Sequence, residues 1–286
     1  MNTISTLNPI KKIDSHQHFW QLSRGDYRWL SEDLTVLYQD YLPERLTTTL
    51  AINDIANTIV VQAADSHDET RFLLKLAKSY SFIAGVVGWV DFTDTNALKQ
   101  LTLFAADPYF KGVRPMLQDI EQIDWILNPE FTPIFQFLAA HKLCFDALVH
   151  ECHLPYIFTI AKQHPHLNIV INHLAKPDLT KPKSEHWEDM LYQLACLKNV
   201  SIKFSGLMSQ AQADCVDIDT YRPYFELIYQ LFGANRILWG SDWPVVNMNG
   251  CYTDWHYISD VLISVLPVSE QRKIWSDNAK RLYRLF

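Results

Sequence analysis

The chain contains no run of like charges, no apolar stretch near the ~18 residues that span a bilayer, and no C-x-x-C pair. Each absence removes a class of function. Its 32 acidic and 25 basic residues are interspersed, for a formal net charge of −7, and give a polyanion little to hold, so nucleic acid is not an expected partner. Without a long apolar segment, a membrane is not one either. The five cysteines, Cys144, Cys152, Cys196, Cys215 and Cys251, are scattered and odd in number, which suits a reduced compartment better than a disulfide framework or a zinc ribbon. Residues Met1 to Ile10 lack the basic region, apolar core and cleavage site of a secretory signal, so the cytoplasm is the expected location. No Pro/Gly/Ser-rich linker or shift in composition divides the chain, which predicts one domain over residues 1–286.

What the sequence does contain is a repeating rhythm. Eight apolar, β-branched runs occupy residues 11–19, 57–63, 82–91, 110–117, 143–149, 168–175, 200–206 and 236–244, and segments of helical periodicity separate them. Residues 69–80 place Phe72, Leu73, Leu76 and Tyr80 on one helical face, and Trp187, Leu191 and Leu194 do the same after Ser184. Pro43 fits a first helical turn, Ser269 and Asp219 read as N-caps, and Gly233 reads as the end of a helix from Arg222 to Phe232. Eight strands alternating with helices at this spacing predict an α/β fold, a (β/α)8 barrel. An open doubly wound sheet is the competitor, but no glycine-rich phosphate turn follows the first run.

Active sites of such barrels lie at the carboxyl ends of the strands. The first run ends in His16 and His18, whose spacing of two points both side chains the same way along a strand, toward one metal ion or one carbonyl oxygen. A second pair, His164 and His166, flanks Pro165 ahead of the sixth run and reads as a surface turn at the opposite end. Asn172 and His173 close the sixth run, and Asp242 follows the apolar ILWG of the eighth, where a carboxylate entering a dry barrel mouth needs a cation, a proton or a catalytic task. This constellation suits hydrolysis. Asp242 would act as general base on water while His18 and His173, directly or through a cation, polarise a carbonyl. Arg114 offers donors to a carbonyl oxygen or product carboxylate, or else pairs with Asp91 or Asp119. Trp20, Trp29, Trp89 and Trp243, with Tyr27, could stack on a sugar-like ring or simply fill the core.

Taken in order, IDSHQHFWQ, RGDYRWL, YLPERL, GVRPMLQD, INHLAKP, KFSGL, WGSDWPVV and NAKRLYRL resemble the lactonase branch of the amidohydrolase superfamily from about residue 12 onward. The resemblance implies a distorted (β/α)8 barrel and hydrolysis of a small-molecule sugar lactone. It places His16 and His18 on the strand-one H-x-H, His173 on the strand-six histidine and Asp242 on the strand-eight aspartate. It further implies one divalent cation, zinc or manganese, on His16, His18 and Asp242 with His150 as an extra ligand, or a metal-free mechanism. Arg114 stands where larger relatives carry a bridging lysine or glutamate, which argues against two metals. The rival readings are a metal-dependent decarboxylase of aromatic or muconate-type acids and a non-catalytic sugar-binding barrel.

Overall fold

The computed structural model describes residues 9–285. The expectation of no secretory signal therefore falls, for residues 1–8, outside the described residues. Among those described, no helix is long and apolar enough to cross a membrane.

Eight strands, β1 (Lys12–Gln17), β2 (Ile55–Val61), β3 (Ile83–Gly88), β4 (Phe110–Val113), β5 (Cys144–Ala147), β6 (Asn168–Ile171), β7 (Val200–Phe204) and β8 (Ile237–Trp239), form one sheet in sequence order. Each runs parallel to the next. A long helix follows every strand: α1 (Pro43–Ile52), α2 (His67–Ser79), α3 (Ala97–Ala105), α4 (Thr132–His141), α5 (Leu154–Gln163), α6 (Glu185–Ala195), α7 (Ile218–Phe232) and α8 (Tyr252–Ser264). Strands β3, β5 and β7 are buried throughout, as near-continuous apolar runs require.

The ends of the sheet meet through polar atoms. Asp14 on β1 accepts from the Ser241 backbone N–H at 2.9 Å and from the Tyr252 hydroxyl at 3.0 Å, and Ser15 donates to the Trp239 carbonyl at 2.6 Å. Two backbone bonds finish the seam, His18 N–H to Trp243 at 2.7 Å and Asp242 N–H to His16 at 2.8 Å. Burial pushes the Asp14 carboxyl up to about 6. The chain therefore closes as a (β/α)8 barrel, and the doubly wound alternative is excluded.

Local signals hold in part. Pro43 opens α1, Ser184 caps α6 by accepting from Trp187 N–H at 3.3 Å, and Gly233 ends α7 with φ +62°. Asp217, not Asp219, caps α7: its carboxylate accepts from the Asp219 N–H, so the helix starts at Ile218, four residues before Arg222. Pro267, not Ser269, precedes the helix Val268–Arg272. On α2 the fully buried face is Leu73, Leu74 and Ala77, with Phe72 and Leu76 partly buried, because small Ala77 and the buried Glu69 and Thr70 turn toward the sheet. The strands also stop short of the apolar runs, since residues past Gln17, Ile171 and Trp239 leave the ladder and form the barrel mouth.

Candidate active site

The mouth of the barrel holds a cavity of about 310 Å³ whose wall includes His18, Trp29, Arg114, His173, Lys176 and Asp242. Four predicted residues meet there. The Asp242 carboxylate lies 3.4 Å from His18 Nε2 and 3.7 Å from both His16 Nε2 and His173 Nε2. His16 and His18, both leaving β1 on one side, bring their Nε2 atoms within 3.2 Å. Asp242 sits in a left-handed conformation, φ +60°, at the sharp exit from β8, and this backbone turn points its carboxylate back over the barrel. Asparagine and aspartate tolerate that region better than other residues with a side chain.

Partners outside the cavity decide what each ring can do. His18 Nδ1 lies 2.8 Å from the Val61 carbonyl, which can only accept, so the neutral ring carries its proton there and turns the Nε2 lone pair inward. His173 Nδ1 lies 3.0 Å from the Ser205 hydroxyl; with that hydroxyl donating, the ring presents Nε2–H to the cavity. Burial keeps all three rings neutral, lowering His16 and His18 and pushing His173 down to about 3. Burial opposes ionisation of Asp242, but the donors around it, His173 foremost and Lys176 with it, outweigh it and hold the carboxyl below its usual range. The cavity thus has acceptors in Asp242 and His18 and donors in His173 and Arg114. Of the two expected routes, His18 as an acceptor does not suit direct polarisation of a carbonyl and suits polarisation through a bound cation.

Arg114 forms no ion pair with Asp91 or Asp119. Its guanidinium donates to the Gln62 carbonyl, approaches His16 Nε2 at 3.5 Å, and leaves its buried Nε–H without a protein partner. Burial pushes it down to about 10, still cationic at neutral pH. Beneath the site, the buried Lys203 ammonium pairs with Asp146 at 2.6 Å and reaches His16 Nδ1 at 3.2 Å.

The tryptophans divide. Trp29 lines the cavity, with its indole N–H fixed on the Ala63 carbonyl at 2.7 Å. Trp20 is completely buried behind it, edge-on at 5.4 Å and bonded to the Gln39 carbonyl, so it supports Trp29 from the core. Trp243 packs on Phe19 and Tyr41 away from the cavity wall, and Trp89 borders the adjoining cleft with Asp91 and Trp125. Tyr27 is also core, its hydroxyl donating to Glu69. His150 is exposed in the turn after β5, where the His153 ring caps its N–H, and it is not with the other histidines. Lys176 and Lys203 belong to the site and its support, although neither stands out in the sequence by spacing.

Among the described residues, one group of three, His16, His18 and Asp242, has ligand atoms all within 4.8 Å of one another. Two imidazoles and a carboxylate are a donor set that suits zinc, and the inward lone pair of His18 is ready for it. The positive charges of Arg114 and Lys203 beside His16 oppose a dication and reduce its affinity.

Residues 13–285 match the family described as Amidohydrolase. The L-fucono-1,5-lactonase of Burkholderia ambifaria is 38% identical over 278 residues, covering 96% of each chain. An L-fucono-1,5-lactonase of Burkholderia multivorans is 30% identical over 285 residues, again covering 96% of each. Among solved structures, an amidohydrolase from Burkholderia multivorans with bound Zn superposes with a TM-score of 0.91 at 30% identity, covering 96% of this chain and 99% of that one.

Proposed function

Because the chain belongs to the amidohydrolase family, we propose that it is a lactonase that opens a sugar lactone, of the L-fucono-1,5-lactone type, to the corresponding hydroxy acid. The observation that carries this reading is a single ionised carboxylate, Asp242, facing one imidazole acceptor and two sets of donors in one small cavity. A cavity of about 310 Å³ is at the small end for ligand sites and suits one sugar ring.

Asp242 and His18 accept hydrogen bonds from the attacking water, and Asp242 takes one proton as the oxygen adds to the lactone carbonyl. Collapse of the adduct breaks the ring C–O bond, Asp242 passes that proton to the departing ring oxygen, and the new acid loses its remaining proton to solvent. The negative charge that develops on the carbonyl oxygen falls to His173 Nε2–H and the Arg114 guanidinium, both fixed before substrate arrives. Trp29 offers an apolar face to the ring's C–H groups. A zinc or similar cation held by His16, His18 and Asp242 would supply Lewis-acid polarisation of the carbonyl or water when bound.

Acid release from aldono-1,4- and 1,5-lactones, followed with a pH indicator, tests the proposal. Turnover of one stereochemical series is expected, with no inflection of kcat/KM at the ordinary histidine value of about 6.5. Burial lowers all three rings, His173 to about 3, and Asp242 lies below the usual carboxylate range, so a limb near 6.5 should not appear. Carbon dioxide release from an aromatic acid, with no lactone opened, would refute it.

A further inference from the structure

Four consecutive residues after β6, His173, Leu174, Ala175 and Lys176, have positive φ of 53°, 53°, 61° and 53°, and none is glycine. Left-handed backbone is unfavourable for every residue with a side chain, and a run of four is rarely kept without a reason. The turn is closed by the Lys176 N–H on the His173 carbonyl at 2.7 Å and anchored by the Trp187 indole on the Leu174 carbonyl at 2.7 Å. Such an i to i+3 bond makes positions i and i+3 eclipse, so His173 and Lys176 enter the same cavity. The Lys176 ammonium is then held by the Gln118 side-chain oxygen, from the loop after β4; Asp242 and Asp119 lie near enough to act on it, but neither forms an ion pair with it.

With the histidines neutral, the cavity wall carries the basic side chains Arg114 and Lys176, the ammonium lowered by burial and supported by Asp242, against the single carboxylate Asp242. A neutral lactone has no use for that excess positive charge. The acid it becomes does, since ring opening creates one carboxylate inside the cavity. We propose that Lys176 forms, with Arg114, a carboxylate-binding subsite that takes the negative charge as it develops and holds the opened acid. This rests on the lactone-opening reading of the site and assigns Lys176 as the residue that separates acid from lactone.

Calorimetric titration with L-fuconate and its neutral amide, L-fuconamide, tests the subsite apart from turnover. The wild-type protein should bind the acid about tenfold or more tighter than the amide, the scale of one charge-assisted hydrogen bond. Lys176→Met should erase that preference, lowering kcat while leaving the lactone KM within about threefold, and Lys176→Arg should retain most of it. A folded Lys176→Met protein that keeps the preference, or that loses acid and amide alike, would overturn the assignment. If that variant does not fold, the wild-type comparison decides, because equal binding of acid and amide contradicts the subsite. Failure of the wild type to open any lactone would instead overturn the reading beneath it, a distinct result.

Discussion

Asp242→Asn should lower kcat for lactone opening by about 10²–10⁴-fold, the range that removal of a general base produces, while thermal unfolding stays unchanged. The backbone at this position accepts asparagine without new strain, because φ +60° is a region the two residues share. The 2.8 Å bond from its N–H to His16, part of the barrel seam, and the 3.0 Å bond its carbonyl accepts from Val246 are backbone contacts that survive. Even the side-chain geometry can persist, with the amide oxygen toward His173 and the amide N–H₂ toward His18. What is lost is proton affinity, since an amide cannot take a proton from water at neutral pH. Activity within a few-fold of wild type, in a protein that unfolds normally, would remove Asp242 as the base.

The largest loss of stability is expected at Lys203→Met, about 3–5 kcal/mol in urea unfolding, as for other buried pairs with one partner removed. Lys203 and Asp146 are both fully buried and paired at 2.6 Å, and the Tyr283 and Asn172 side chains already bond the same carboxylate. Removing the ammonium leaves that carboxylate buried with only neutral hydrogen-bond partners, Asn172 and Tyr283. Asp146→Asn added to Lys203→Met should recover a substantial part of the loss, since the remaining groups can hydrogen bond to an amide. The single variant should also lose activity, because His16 loses its partner at Nδ1. Equal stability of the single variant and the wild type would contradict the pair's role.

How far the site could be read from sequence depends on the backbone that carries each residue. His16 and His18 were legible because a strand repeats every two residues and both leave β1 on one side. Asp242 was legible because a carboxylate directly after a buried apolar strand has few other reasons to be there. Lys176 was not, since a left-handed turn of ordinary residues has no sequence signature, and only that turn puts it beside His173. Lys203 lies within an apolar strand, where its pairing with Asp146 on β5 depends on barrel closure and not on spacing. The tryptophans show the reverse error: Trp20 and Trp243 stand next to site residues in sequence, yet their large rings fill the core, and of the four only Trp29 reaches the catalytic cavity. Sequence alone places the cap of α7 two residues late, at Asp219, because Asp217 and Asp219 are the same residue type, and only the bond from Asp219 N–H identifies which one accepts.

Hydrolysis of L-fucono-1,5-lactone in ¹⁸O-labelled water, with the product weighed by mass spectrometry after a single turnover, tests the central claim most directly. Water activated at Asp242 and added to the carbonyl places a single labelled oxygen in the carboxylate of L-fuconate. An unlabelled acid, or lactone recovered intact with enzyme in excess, would contradict the account.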